Sequence, residues 1–126
     1  MSFRVLLVED DKFLRKAAEA MLRKQGYEVR VACDGEEGLR AALSEPPDLV
    51  LLDLIMPRMQ GFEVLEVLRT TAATARVPVV VLSNLGQDAD IQRAMIAGAT
   101  AYFIKSNTSL ASLLTKVQDV LQGKAA

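Results

Sequence analysis

The stretch that decides the fold is RVLLVEDD, residues 4–11. In it, four aliphatic residues are followed at once by three acids, Glu9, Asp10 and Asp11. A short, uninterrupted run of β-branched and aliphatic residues with polar residues beside it is typical of a strand buried on both faces of a parallel sheet. The stretch therefore predicts a buried strand with a group of acids at its carboxyl end.

Three further apolar runs end in the same way, each with one polar residue directly after it. These are LVLL before Asp53, VVVL before Ser83 and YFI before Lys105. The carboxyl ends of parallel strands share one edge of a sheet, and ligands bind at that edge in open α/β folds. The four strand ends would bring carboxylates, a hydroxyl and an amine together, which predicts a site for a divalent metal and a phosphoryl group.

Strand-like and helix-like segments alternate five times along the chain. The expected strands are Arg4–Val8, Glu28–Ala32, Leu49–Asp53, Val79–Ser83 and Ala101–Lys105. The expected helices run from the cap Asp11 to about Gln25, from the cap Asp34 to about Leu43, near Phe62–Thr70, from Gln87 or Asp88 to Gly98, and along an apolar stripe from Leu110 to Leu121. Five such units cannot close an eight-stranded barrel, and they predict an open doubly wound α/β sheet. The length of 126 residues predicts a single domain, residues 1–126.

Composition narrows the classes of function. The net charge is −1 and the pI about 5.5, so no basic excess points to direct binding of nucleic acid or of an anionic membrane. The longest apolar runs are far shorter than the roughly 20 residues that span a bilayer, and no secretory signal is visible, so we expect a cytoplasmic protein. The absence of histidine excludes His-based metal sites and catalytic triads, and the single cysteine, Cys33, cannot form an internal disulfide.

The strand-end residues suggest a specific chemistry. If strands 1 and 3 are neighbours, as in a flavodoxin-like order, Glu9, Asp10 and Asp53 converge, and their charges repel unless a cation intervenes. Mg²⁺ takes oxygen ligands of this kind together with waters and a phosphate oxygen. Lys105 can pair with Asp53 or with a phosphate, and the Ser83 hydroxyl can donate to a phosphoryl oxygen. Phosphoryl transfer needs mostly positioning and charge neutralisation, and an aspartate can itself accept the group as an acyl phosphate.

At these residues the chain resembles the receiver domain of two-component response regulators, over essentially its whole length. The resemblance is carried by VLLVEDD (residues 5–11), DLIMPRMQG (residues 53–61), Ser83 and YFIK (residues 102–105). It implies a flavodoxin-like five-stranded parallel sheet in the order 2-1-3-4-5, with five helices. It also implies a signalling switch rather than an enzyme. Such a switch catalyses only its own phosphorylation and slow dephosphorylation.

The resemblance assigns roles to individual residues. Asp53 matches the phosphoacceptor, and the implied Mg²⁺ ligands are Glu9, Asp10, Asp53 and the backbone carbonyl of Ile55. The implied phosphate-binding and switch residues are Ser83, Tyr102 and Lys105. The implied phosphodonor is a histidine kinase or a histidine phosphotransfer protein, and the surface of helix 4, strand 5 and helix 5 is expected to change and control a downstream partner. We expect a monomer or a weak phosphorylation-dependent dimer.

Two positions depart from the family pattern. Ser106 stands where the family usually has a proline after a cis peptide bond, and Gln60 stands where an aspartate is common. Without proline a cis bond costs about 2.5–4 kcal/mol, so we expect a trans Lys105–Ser106 bond. Ile55 and Leu85, which flank the implied phosphate pocket, are both apolar.

Three other functions compete with this interpretation. A haloacid-dehalogenase-like phosphotransferase would place a second acid two residues after Asp53, where this chain has Ile55. A flavodoxin-like electron carrier would need a hydroxyl- and glycine-rich loop after strand 1, where this chain has acids. A degenerate receiver that acts without phosphorylation is disfavoured by the intact set of ligands. Two alternatives stay open for the output: a stand-alone regulator, or a receiver within a longer protein.

Overall fold

The computed structural model describes residues 2–123, in which five strands alternate with five helices. The strands are β1 (Arg4–Val8), β2 (Glu28–Ala32), β3 (Leu49–Leu52), β4 (Val79–Ser83) and β5 (Ala101–Ile104). The helices are α1 (Lys12–Lys24), α2 (Gly35–Ser44), α3 (Gly61–Thr70), α4 (Asp88–Ile96) and α5 (Leu110–Leu121), with a 3₁₀ turn at Lys105–Asn107. Each predicted element is present, and its ends lie within two residues of the prediction.

All five strands are parallel and form one sheet in the order β2-β1-β3-β4-β5, as predicted. Val8 pairs with Leu52, and Leu52 pairs with Val81, so the carboxyl ends of β1, β3 and β4 lie side by side. Two predicted strand ends were one residue too long, because Asp53 and Lys105 lie just beyond β3 and β5. The backbone N–H of Asp53 still donates to the carbonyl of Val8 at 3.1 Å, so Asp53 is held at the edge of the sheet beside β1.

Two apolar layers cover the sheet, and successive residues of β1 point into opposite layers. Leu6 and Val8 face the layer formed with α2, α3 and α4, whereas Val5 and Leu7 face the layer formed with α1 and α5. Such burial on both faces explains why the strands are continuous apolar runs rather than alternating ones. No helix among residues 2–123 is long and apolar enough to cross a bilayer.

Side-chain caps start the first two helices as predicted. The Asp11 carboxylate accepts hydrogen bonds from the backbone N–H groups of Phe13 and Leu14, at 3.0 and 3.1 Å. The Asp34 carboxylate accepts one from Glu37 at 2.8 Å. These bonds satisfy donors that a helix cannot pair internally, and they place both helices at the carboxyl edge of the sheet.

One arginine fixes the turn between α4 and β5. Arg69 donates from Nε and Nη2 to the carbonyl of Gly98, at 3.0 and 2.8 Å, and from Nη1 to the carbonyl of Val77 at 2.7 Å. Gly98 has a φ of +109°, and a Cβ there would lie 2.7 Å from Arg69 Nε. The turn therefore requires glycine both for its backbone angle and for the approach of Arg69.

Candidate functional site

The carboxyl edge of the sheet holds an open cleft of about 370 Å³. It is lined by Asp10, Asp11, Asp53, Ile55, Asn84, Leu85 and Lys105. The predicted strand ends thus meet at one place. Asn84, which sequence reasoning did not single out, lines the cleft because it directly follows the end of β4, and that position was the available signal.

Three acids converge as predicted, two of them in the lining of the cleft and the third, Glu9, buried beside it. One carboxylate oxygen from each of Glu9, Asp10 and Asp53 lies within 4.8 Å of the others. Glu9 and Asp53 are only 1% and 4% exposed, whereas Asp10 is open to solvent. Three hard oxygen donors with one solvent-open side fit Mg²⁺, which keeps several waters when proteins bind it. Asp11 also lines the cleft, but its carboxylate caps α1.

Lys105 is the counter-ion of both buried acids. Its Nζ lies 2.8 Å from Glu9 Oε1, 3.0 Å from Glu9 Oε2 and 2.9 Å from Asp53 Oδ2. Burial by itself would lower the pKa of Lys105, but the hydrogen bonds to Glu9 and Asp53 outweigh burial and raise it. The ammonium is therefore held charged beside the Asp53 carboxylate.

Burial changes the acidity of Glu9. Burial raises its pKa from 4.5 to about 7, and the nearby charge of Asp53 acts in the same direction, while Lys105 and the backbone N–H of Asp11 oppose it. That N–H donates to Glu9 Oε2 at 3.0 Å. With a pKa of about 7, the Glu9 carboxyl group changes its charge state close to neutral pH.

The loop after β1 is held by an arginine that sequence reasoning missed. Arg15 Nη1 donates to the carbonyl of Glu9 at 3.0 Å and to that of Asp10 at 3.4 Å. Arg15 lies in the first turns of α1, so its side chain can reach back over the helix start. A basic residue shortly after an acidic pair was the only signal, and it does not distinguish this role from a solvated charge.

The loop after β3 is arranged around Asp53. The backbone N–H of Ile55 donates to Asp53 Oδ1 at 3.3 Å, and Gly61 N–H donates to the carbonyl of Leu54 at 2.9 Å. A Cβ on Gly61 would lie 2.3 Å from the carbonyl oxygen of Asp53, so only glycine fits this approach. Ile55 is 51% exposed at the mouth of the cleft. The expected metal contact through its carbonyl stays a prediction.

Ser83 and Tyr102 are not among the residues that line the cleft, but both form hydrogen bonds with Leu85, which does line it. Ser83 is completely buried, and its Oγ accepts a hydrogen bond from Leu85 N–H at 3.4 Å. The Tyr102 hydroxyl donates to the carbonyl of the same Leu85, and burial raises the pKa of that hydroxyl. Both predicted switch residues therefore hold the loop between β4 and α4, although their switching stays a prediction.

The turn after β5 carries the unusual Ser106. The described residues contain no cis peptide bond, so the Lys105–Ser106 bond is trans, as predicted. Lys105 nevertheless reaches Asp53, because its long stem spans the distance from the 3₁₀ turn.

Sequence comparisons with known proteins identify the family of this chain. The family model of the response regulator receiver domain matches residues 5–118. The chain is similar to the gliding motility regulatory protein of Myxococcus xanthus, 40% identical over 102 residues that cover 81% of this chain and 13% of that protein. It is also similar to the transcriptional activator protein PfeR of Pseudomonas aeruginosa, 42% identical over 119 residues that cover 94% of this chain and 38% of that protein.

Solved structures show the same fold over nearly complete chains. The chemotaxis response regulator CheY4 of Vibrio cholerae matches with a TM-score of 0.88 and 30% identity, covering 95% of this chain and 99% of that chain. A CheY-like receiver domain protein from Methanospirillum hungatei matches with a TM-score of 0.89 and 28% identity, covering 98% and 97%. The chain spans about half the length, or less, of the curated relatives it matches. The chain belongs to the response regulator receiver domain family of two-component signalling.

Proposed function

We propose that this receiver accepts a phosphoryl group on Asp53 from a histidine kinase or a histidine phosphotransfer protein, in a reaction that depends on Mg²⁺. The observation that carries the proposal is the position of Asp53. Its carboxylate reaches the open cleft, yet it is almost fully buried and is held by Lys105 at 2.9 Å and by Ile55 N–H at 3.3 Å. A carboxylate fixed in this way is a preorganised nucleophile.

The proposed reaction moves one phosphoryl group. A carboxylate oxygen of Asp53 attacks the phosphorus of the donor's phosphohistidine, the new P–O bond forms, and the P–N bond to the imidazole breaks. Lys105 Nζ neutralises charge on the phosphoryl oxygens, and Glu9 keeps that ammonium in place. Bound Mg²⁺ would supply further charge neutralisation, held by Asp10, Asp53, Glu9 and the Ile55 carbonyl.

The proposed switch uses the link through Leu85. If the Ser83 hydroxyl turns to donate to a phosphoryl oxygen, its bond to Leu85 N–H is disturbed, and the same residue carries the bond from Tyr102. A phosphoryl group can shift the loop between β4 and α4 only by binding one of its arrangements better than the other. This supports a change in the surface of α4, β5 and α5, read by a downstream partner that is still to be identified.

The chain is proposed to be one receiver domain, which catalyses its own phosphorylation and acts by binding a downstream partner. The described strands form one sheet, which favours a single domain over residues 1–126. The net charge of −1 disfavours direct contact with nucleic acid by the receiver itself. In AfsQ1 of Streptomyces coelicolor and PfeR of Pseudomonas aeruginosa, which are named as a transcriptional regulatory protein and a transcriptional activator protein, most of the length lies outside the matched region.

Intact mass measurement tests the proposal. The protein is incubated with a small phosphodonor, with Mg²⁺ or with a chelator, and we expect one added phosphoryl group only when Mg²⁺ is present. Asp53→Asn should abolish the addition, whereas Asp11→Asn, a change in the same cleft, should leave it intact. Full labelling of Asp53→Asn would contradict the proposed acceptor.

A further inference from the structure

A second concave surface lies between α3 and α4. It is an open groove of about 600 Å³ that shares no lining residue with the cleft at Asp53. Phe62, which is almost fully buried, forms its floor. Ile96 stands on its rim and is 85% exposed, which equals the largest exposure of any large apolar side chain in residues 2–123. The groove and its apolar rim are not used by the proposed reaction.

Two opposite charges line this groove without pairing. The guanidinium carbon of Arg93, on α4, lies 3.9 Å from the centre of the Phe62 ring. Within residues 2–123 no acid lies within 4.0 Å of the Arg93 side chain, and no cation lies within that distance of Glu66 on the α3 side of the groove. An arginine stacked on an aromatic ring still has N–H donors free for a carboxylate. The groove therefore offers one cation, one anion and one protruding aliphatic side chain.

We propose that this groove binds the same groove of a second copy of the chain across a two-fold axis. In such an interface the same patch is used on both sides, so Arg93 of one copy meets Glu66 of the other, and the reverse pair forms at the same time. The two Ile96 side chains cover the apolar floor between these pairs. The charge pattern supports a second copy as the occupant, because each copy presents both the cation, Arg93, and the anion, Glu66, that would pair with the opposite charges of the other copy.

The size of the groove sets the expected strength. Seven residues line the groove, far fewer than the roughly 20–30 residues on each side of a stable interface, so the dimer should be weak and should form only at high protein concentration. The surface is built without Asp53 or Lys105. Association at the groove is therefore testable in the unphosphorylated protein, and its failure would leave the proposed phosphotransfer intact.

Sedimentation equilibrium over a wide range of protein concentrations tests the proposal. We expect Arg93→Glu and Glu66→Arg each to weaken self-association by about tenfold or more, since each places like charges opposite one another twice. An equimolar mixture of the two variants should associate about as well as the parent, because the mixed pair restores both attractions. Arg40→Glu, which changes the same charge at an exposed position on α2, should leave the association unchanged.

A second variant separates the apolar contribution from the charges. Ile96→Asp should also weaken association, and circular dichroism should show all variants folded, since Ile96, Arg93 and Glu66 are exposed. The proposal is overturned if the parent stays monomeric at every concentration. It is overturned equally if the single variants associate like the parent, or if their mixture stays monomeric.

Discussion

Glu9 and Lys105 form an ion pair with little access to solvent: Lys105 Nζ lies 2.8 Å from Glu9 Oε1, and the two side chains are 2% and 15% exposed. The same ammonium lies 2.9 Å from Asp53. One cation therefore balances two buried acids, and any change to it alters both the stability of the domain and the charge of the site.

Replacement of Lys105 should destabilise the metal-free protein. Lys105→Met keeps the length of the stem but leaves Glu9 and Asp53 without a counter-ion, and we expect a loss of about 3 kcal/mol in the free energy of unfolding. Mg²⁺ should recover more stability in this variant than in the parent, because it replaces the missing charge. Urea unfolding with and without Mg²⁺ measures both effects, and Lys16→Met, an exposed change, is the control. Equal urea midpoints for parent and variant without Mg²⁺ would contradict the expected role of Lys105.

The free energy of unfolding of the metal-free protein should depend on pH through Glu9. Because the pKa of Glu9 is about 7 in the folded protein and 4.5 ordinarily, the folded state holds a proton that the unfolded chain has released between these values. Without Mg²⁺, this contribution to stability is complete below pH 4.5 and is lost as the pH rises through about 7. Lys105, whose pKa is raised, loses its contribution only above its ordinary value of 10.5, outside this window.

Metal binding has the opposite pH dependence, since a carboxylate must lose its proton to serve as a ligand. The rise in melting temperature caused by Mg²⁺ should therefore grow between about pH 6 and pH 8. Glu9→Gln keeps the shape of the side chain and should flatten both trends. Thermal unfolding across this range, with and without Mg²⁺, is the measurement. A parent protein whose metal response does not vary with pH would show that Glu9 does not titrate there.

Asp10 and Asp11 are neighbours with different expected roles. The Asp10 side chain is exposed and makes no hydrogen bond or ion pair with another side chain or backbone group of residues 2–123, so Asp10→Ala should change metal-free stability little and remove most of the stabilisation by Mg²⁺. Asp11→Ala should lose the helix cap, at a cost of about 1 kcal/mol, and keep the response to Mg²⁺. Melting curves of the two variants compare these effects directly. The reverse pattern would mean that the two acids had been assigned the wrong way round.

The phosphoryl group should be fairly long-lived. Ile55 and Leu85 both line the cleft, and neither side chain can orient an attacking water by hydrogen bonding. Ile55→Asn should therefore speed loss of the label, while Ile55→Val should change it little. The decay of phosphorylated protein, followed by intact mass after removal of the donor, gives the rates. If Ile55→Asn lost the label no faster than the parent, shielding by Ile55 would be excluded.

The strands and two helix starts could be predicted from sequence because their causes are local. The runs before Glu9 and Asp53 are apolar at each position, as burial on both faces requires, and Asp11 and Asp34 satisfy backbone donors only two or three residues away. The convergence of acids followed from the order of the strands. That order came from the family resemblance, since spacing alone left the neighbours of β1 undetermined.

The remaining features depend on contacts between distant parts of the chain. Lys105 could have paired with Asp53 alone, and its contact with Glu9, 96 positions away in sequence, needs the packed sheet. Arg69 looks like the last basic residue of a helix, yet it binds a carbonyl 29 positions later. Periodicity and propensity contain no information about such pairings. The ends of β3 and β5 were predicted one residue too late, because an apolar run does not show at which residue the pairing with the neighbouring strand stops.

The bonds from Arg69 to Gly98 and the bonds to Leu85 hold the two ends of α4 in different ways. At its carboxyl end the helix is tied to α3, and Ala94 packs in the core. At its amino end the Gln87 side chain provides no capping hydrogen bond, and the loop that leads into the helix contains Asn84 and Leu85, which line the cleft. The end of α4 that is anchored to α3 is therefore the end farther from the cleft, and the end nearer the cleft follows the loop that contains Leu85. A small displacement beside Asp53 would be largest at the start of α4 and would fade toward Gly98.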